Sequence, residues 1–206
     1  MFFEYGSHRH LKPIAEIYCE AFPESVQLFF AGKNPARLVR LLTNAYSFLY
    51  FAGARVVIAR TADGQVLGYC VYTCIKSGKE RVGFLFKNIG RVLQAALKCM
   101  RDLRLIEIGR LAANSILMRM HTRADQKLPR RSSQILSIAV RPAAQGQGIG
   151  KALLAHTLDD LVTKDVLLNV RPDNTPALRL YQKAGFVKCG STKDLQGPWL
   201  MMIRRG

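Results

Sequence analysis

Between residues 140 and 154 the chain reads Val-Arg-Pro-Ala-Ala-Gln-Gly-Gln-Gly-Ile-Gly-Lys-Ala-Leu-Leu. Glycines at 146, 148 and 150 separate an apolar run, Gln134 to Val140, from a helical pattern that starts at Ile149. Backbone N–H groups at a helix start, unobstructed by side chains, form a cradle for a phosphate or pyrophosphate. Two common phosphate loops fail here on specific residues. A Walker-type loop needs glycine where Gln145 stands and a hydroxyl residue where Ala152 stands. A dinucleotide fingerprint needs a third glycine at Lys151 and an acidic residue about 20 positions on at a strand end, and neither is present. What remains is a strand, a loop Gln145-Gly146-Gln147-Gly148-Ile149-Gly150-Lys151, and a helix beginning inside it.

Two further blocks bear on that loop. Ser137-Ile138-Ala139-Val140-Arg141-Pro142 precedes it, and Asn174-Thr175-Pro176-Ala177-Leu178-Arg179-Leu180-Tyr181-Gln182-Lys183-Ala184-Gly185-Phe186 follows it. Gln145, Gly148 and Gly150 fill the fixed positions of the Q/R-x-x-G-x-G/A motif, and the three blocks come in the order and spacing of one family. The chain resembles the GCN5-related N-acetyltransferases (GNAT) over residues 1–75 and 134–206, with no counterpart for 76–133 in the minimal pattern.

The resemblance implies an α/β GNAT fold. Its central mixed, twisted sheet is flanked by helices, with a helical insert between the third and fourth strands. It implies acetyl-CoA as cofactor, coenzyme A as product, and transfer of the acetyl group to an amine. The loop Gln145 to Lys151 would hold the pyrophosphate. The main-chain groups of Ile138, Ala139 and Val140, on a fourth strand splayed from the fifth, would hold the pantetheine arm and the thioester oxygen. Asn174 would touch the arm, although a helix N-cap explains it equally well. Tyr181 is the candidate general acid: a phenol with pKa near ~10 protonates a departing thiolate of about 8.5 at modest cost. Taken alone, Tyr181 also suits packing on an amphipathic helix. The general base is not legible. Many relatives place a glutamate on the fourth strand, but Gln134 to Val140 has none. Gln134, Ser133 and Ser137 can orient a water; Glu20, Glu24 and His121 are the titratable alternatives. A water chain is the default.

The elements that must position these residues follow from the hydrophobic period. Ser7 stands as the cap of a helix whose Leu11, Ile14, Ile17, Tyr18 and Ala21 share a face before Pro23. A second helix starts at Asn34-Pro35 and runs to about Tyr50. Arg55 to Arg60 and Val66 to Ile75 alternate as strands around an Asp63-Gly64 turn, a hairpin. Further on come a strand at Gln134 to Val140, a helix at Ile149 to Val162, a strand at Asp165 to Val170 and a helix at Thr175 to Ala184. Two last strands lie at Phe186 to Cys189 and Trp199 to Ile203. Strands alternating with helices predict a parallel pair inside the sheet.

With 206 residues, 49 % of them apolar, the chain suits a single N-acetyltransferase domain over 1–206. Its formal charge of +17 favours anionic partners. More than half of that excess sits in the insert 76–133, with 14 Lys/Arg against 4 Asp/Glu. There Ile89, Leu93, Ala96, Met100 and Leu103 step along one helical face, which the pattern offers to the core. Lys87, Arg91, Gln94, Lys98 and Arg101 step along another, and Leu105 to Met120 forms a second helix. The basic face is a solvated surface or a seat for an anionic partner, either a membrane surface or a phosphate-bearing substrate. Few aromatics interleave with the basic residues, which argues against nucleic acid. The five cysteines and four histidines show no zinc spacing. Met1 to Lys12 lacks a signal-peptide block, and the longest uncharged run is too short to span a bilayer. Together these imply a cytoplasmic protein, at most peripheral to the inner face of a membrane. The acceptor reading is a primary amine of a small molecule, an amino sugar or its nucleotide- or lipid-linked form. Two alternatives stay open: a macromolecular amine (aminoacyl-tRNA or protein), and a non-catalytic acyl-CoA-binding module.

Overall fold

The computed structural model describes residues 1–74, 78–129, 132–161 and 164–206. The expected strand end at Ile75, the insert start at 76, the segment end at Arg130-Arg131 and the helix end at Val162 lie outside the described residues. The chain builds one eight-stranded sheet in the order β1-β2-β3-β5-β6-β8-β7-β4. Its strands are β1 (Phe2–Tyr5), β2 (Ala54–Arg60), β3 (Val66–Thr73), β4 (Arg123–Ala124), β5 (Ser133–Val140), β6 (Val166–Val170), β7 (Val187–Asp194) and β8 (Gly197–Arg204). All neighbours are antiparallel except β5 and β6, the parallel pair expected from the strand–helix alternation.

Helices α1 (Leu11–Ala21), α2 (Pro23–Phe30) and α3 (Pro35–Phe51) cover one face of the sheet. Leu11, Ile14 and Ile17 of α1 are fully buried there with Ile58 and Tyr69, as a 3.6-residue period requires. Helices α6 (Ile149–Asp159) and α7 (Thr175–Lys183) cover the other, where Leu153, Leu154, Leu168 and Phe186 are buried. The Asn34 side chain caps α3, accepting from the N–H groups of Ala36 (3.0 Å) and Arg37 (3.3 Å), with Pro35 at the first helical position.

Four details depart from the sequence expectations. Ser7 heads a three-residue 3-10 turn at His8–His10, and α1 starts only at Leu11. Strand β1 and helix α2 carry no clear period and were not anticipated. The last two strands are longer than expected, because a tight turn at Leu195-Gln196 joins them directly. The fourth concerns the insert, α4 (Gly78–Asp102) and α5 (Leu105–His121) between β3 and β5. Helix α4 packs on α3 through Val92 and Ala95, with Cys99 and Asp102 on the same side. Ile89, Leu93 and Met100, the face offered to the core, are instead about half exposed.

The reason is an ionic anchor at the α4–α5 corner. Asp102 receives Arg40 through two hydrogen bonds, Nε to Oδ2 at 3.0 Å and Nη2 to Oδ1 at 2.9 Å. Lys33 is buried between the main-chain oxygen of Asp102 (2.7 Å) and the Glu107 carboxylate (2.9 Å). Glu107 also accepts from Arg104 N–H at 2.8 Å and caps α5. Burial pushes the Glu107 carboxyl up, but the Arg104 backbone, Lys33 and the Arg104 side chain outweigh it and hold its pKa below the usual value. The Arg40 hydrogen bond lowers Asp102 likewise. With α4 fixed in rotation at this corner, its small residues approach α3 and its large apolar ones turn outward.

Removing Lys33 leaves a buried carboxylate uncompensated. Lys33→Met is expected to destabilise the protein by about 3–5 kcal/mol, with partial recovery in Lys33→Met/Glu107→Gln, measured by denaturant unfolding. Both carboxyls have depressed folded-state pKa values. Their stabilisation is therefore complete above the unfolded carboxylate range, about 4, and is lost as pH falls through the lower folded values, which a Tm series in acid measures.

Candidate active site

Strand β5 carries a defect that the sequence did not announce. Its register against β3 slips between Ser137 and Ile135, leaving Leu136 bulged out of the ladder. A bulge bends its strand. Accordingly β5 pairs with β6 only at Ser133↔Val166 and Gln134↔Leu167, where Ser133 N–H donates to Asp165 O at 2.8 Å. Beyond Gln134 the two parallel strands share no described pair. On the other side of β5, Arg141 N–H donates to Leu67 O at 2.8 Å. Antiparallel alternation then commits the main-chain groups of Ala139 to β3 and turns those of Ile138 and Val140 toward the gap with β6. Of the three residues expected to present free main-chain groups, Ala139 does not, for this reason.

The glycine loop sits at the open end of that gap. A short turn at Pro142–Ala144 leads to Gln145, whose Nε2 donates to Val140 O at 3.1 Å and ties the loop to the strand end. Gly146 and Gly148 have φ of +79° and +76°, the left-handed region, and the space a Cβ would occupy at either is open. Gly148 is the N-cap of α6 and has no side chain to cap with, and Ala152 N–H makes the bond to Gly148 O at 3.1 Å. The N–H groups of Ile149, Gly150 and Lys151 therefore have no partner within the helix and form an anion cradle. Gln147 and Lys151 are exposed beside it, and Gly150 packs 3.9 Å from Leu180 and Val140.

Asn174 caps α7, its Oδ1 accepting from Ala177 N–H at 3.1 Å. Tyr181, one helix side further, is 5 % exposed and sits edge-on to Phe186, with ring centroids 5.9 Å apart. Burial, with a smaller contribution from the Cys70 thiol, raises its phenol well above the ordinary value. The proton is therefore held firmly across physiological pH.

On the opposite face each arm of the gap is clamped. Arg141, at the end of β5, is paired with Glu20 and reaches Glu16 at 3.8 Å on α1. Arg171, at the end of β6, binds both Asp194 oxygens (2.9 and 3.0 Å) and Gln196 Oε1 (2.9 Å), and stacks 3.8 Å over Trp199. Gln196 in turn accepts from Ser25 of α2 at 3.0 Å, and Asn114 of α5 accepts from Leu195 N–H at 3.0 Å. Helix α2, α5 and the β7–β8 turn thus close one rim. Sequence reading missed Arg171: its acidic partner lies 23 residues away, and no local period links them.

The base candidates separate. Glu20 is taken by Arg141, Glu24 is exposed in the first turn of α2, and His121 is exposed at the end of α5 with Nδ1 3.0 Å from Leu117 O. Gln134 is exposed, Ser133 is buried, and Ser137 joins a hydroxyl chain with Tyr69 (2.9 Å) and Tyr46 (3.0 Å). The two most prominent concavities lie elsewhere, at Tyr50, Phe51, Phe84 and Arg91 and between α1 and α3.

A mixed sheet opened at its parallel pair, with a glycine loop and a bare helix N-terminus at the opening, defines an acetyltransferase scaffold. The chain belongs to the Acetyltransferase (GNAT) family, which it matches over residues 11–186. It is similar to the N-alpha-acetyltransferase RimI of Mycobacterium tuberculosis, 46 % identical over 57 residues, 28 % of this chain and 36 % of that one. It is 41 % identical to the mycothiol acetyltransferase of Renibacterium salmoninarum over 58 residues, 27 % of this chain and 17 % of that one. These matches thus span about a third or less of the relatives' lengths. The fold is that of a Corynebacterium glutamicum structure described as histone acetyltransferase HPA2 and related acetyltransferase. That similarity has TM-score 0.63 and 18 % identity, covering 98 % of this chain and 94 % of that one.

A carboxylate placed in the cradle should repel a phosphate. Gly148→Glu is expected to weaken coenzyme A binding about tenfold or more, ~1.4 kcal/mol, by isothermal titration of the folded variant. Unchanged affinity would move the pyrophosphate elsewhere.

Proposed function

We propose that the protein transfers the acetyl group of acetyl-CoA to a primary amine presented end-on, in a small molecule. The observation that carries the transfer is the opening between β5 and β6. Main-chain groups of Ile138 and Val140 face it, and the loop Gln145–Lys151 stands at its end. A pantetheine arm laid in the opening completes the hydrogen bonds that β6 leaves unmade, and the N-terminus of α6 receives the pyrophosphate. Gln145 and Gln147 border that loop, and Lys151 adds a positive charge. An N–H of Ile138 or Val140 holds the thioester oxygen as charge develops. Asn174 positions the start of α7 and, through it, Tyr181.

Attack by the amine forms the new N–C bond and expels the thiolate, to which Tyr181 gives its proton. The raised phenol pKa makes this donation costlier than from an exposed tyrosine. A thiolate in the same apolar setting is a stronger base too, which narrows the difference. No carboxylate of the three sequence candidates stands free beside the opening, so the amine loses its proton through water, with Ser137 as an ordering contact.

The acceptor class rests on the rim. Ser25–Gln196 and Asn114–Leu195 join α2, α5 and the β7–β8 turn, which suits one amine-bearing end better than a chain running through. An amino sugar, free or carried by a nucleotide or lipid, is the class to test first. The second reading is an α-amine at a protein N-terminus, favoured by the name of the M. tuberculosis relative. Thiol release from acetyl-CoA should respond to amino sugars more than to alanine-terminated peptides or charged tRNA, and the reverse order would select the second reading. Tyr181→Phe should lower kcat by about 10²–10⁴-fold with coenzyme A affinity unchanged. Full activity in that variant, with chemistry limiting, would assign the proton to water.

A further inference from the structure

Helix α4 carries three differently composed arcs. Val92, Ala95 and Asp102 are buried toward α3 and its ionic anchor. Phe86, Ile89, Leu93, Leu97 and Met100, stepping by three and four, form a second arc that no described element covers. Phe86 is 74 % exposed, Leu97 70 % and Leu93 55 %. At about 100° per residue this stripe points roughly 140° away from the α3-facing side. Lys87, Arg91, Lys98 and Arg101 fill the arc between the two, all exposed. From Phe86 to Met100 the stripe runs about 21 Å. It leads toward the corner where Leu105 and Ile106, 87 % and 60 % exposed, begin α5.

Contiguous exposed apolar surface of this extent marks a docking site. We infer that α4 seats the protein on an anionic lipid bilayer surface. The stripe enters the headgroup–acyl boundary, and the basic row lies along the headgroups. Two features select this occupant. The exposed charge bordering the stripe is basic, and Asp102, acidic on the same helix, is buried in its ion pairs. A second copy of a chain with formal charge +17 would bring like charges together beside the stripe. A nucleic-acid backbone would satisfy the basic row but leave five large apolar side chains in water. An amphipathic helix with a basic polar flank, lying in the interface plane, satisfies both arcs. The ionic corner is what makes this a rigid platform: it fixes the rotation of α4, so the stripe cannot turn inward. This inference is independent of which amine the protein acetylates.

Co-sedimentation of the full chain with phosphatidylcholine vesicles containing graded phosphatidylglycerol tests it. Binding should rise with the anionic fraction and weaken with salt as the charges are screened. Lys87→Gln/Arg91→Gln/Lys98→Gln/Arg101→Gln should lower partitioning by about a hundredfold or more, from the contribution of each basic side chain at an anionic surface. Leu93→Asp/Leu97→Asp should abolish it even at low salt, because the apolar arc no longer inserts. Both variants should keep the parent's Tm and coenzyme A affinity, since none of the six residues touches the core or the glycine loop. Binding that survives Leu93→Asp/Leu97→Asp would overturn the inference in favour of simple charge attraction. Absence of binding to any vesicle would also overturn it. So would a dimer, seen by analytical ultracentrifugation without vesicle binding, that the aspartates dissolve, or a tRNA titration stronger than any lipid binding.

Discussion

Two parallel strands that pair at their first residues and then part place main-chain polar groups in a gap inside the sheet. Interior backbone groups rarely go without partners, so such a gap is either wet or filled by something with its own amides. The bulge at Leu136 creates that constraint. Upstream of it β5 pairs with β6; downstream, alternation aims Ile138 and Val140 into the opening while Ala139 stays with β3. The glycine loop, the bare N-terminus of α6 and the buried phenol of Tyr181 gain their chemical meaning from standing around this one defect.

Holding the opening at a fixed width falls to two arginines. Arg141 ends β5 and is tied to Glu16 and Glu20 of α1; Arg171 ends β6 and is tied to Asp194, Gln196 and Trp199. Planar guanidinium groups suit such work because several donors in one rigid fork fix a position as well as a charge. The same contacts bring α2 and α5 to the β7–β8 turn. The insert is therefore coupled to the rim of the cleft at one end and exposes its apolar stripe at the other.

Much of this arrangement was legible in the residues themselves. The loop Gln145–Lys151, the hairpin around Asp63-Gly64, the helix begun by Asn34-Pro35 and the parallel pair β5–β6 rest on local rules. Those rules are left-handed glycines, turn chemistry, caps and the alternation of strands with helices. Each is enforced by neighbours a few residues away, so the sequence carries it. Asn174 as a cap and Tyr181 on its helix belong to the same kind.

Tertiary structure alone decided the rest. Period showed that α4 has an apolar arc, but two arcs of it are apolar enough to pack. A buried ion pair to α3, made by residues more than sixty positions away, chose Val92 and Ala95 over Leu93 and Met100. The bulge at Leu136 depends on register against β3, which no single strand encodes. Arg171 found its acidic partner across a hairpin. What the chain determined by itself were the parts whose energetics are local; which faces meet, and which main-chain groups go unpaired, were fixed by contacts between distant segments competing for the same surface.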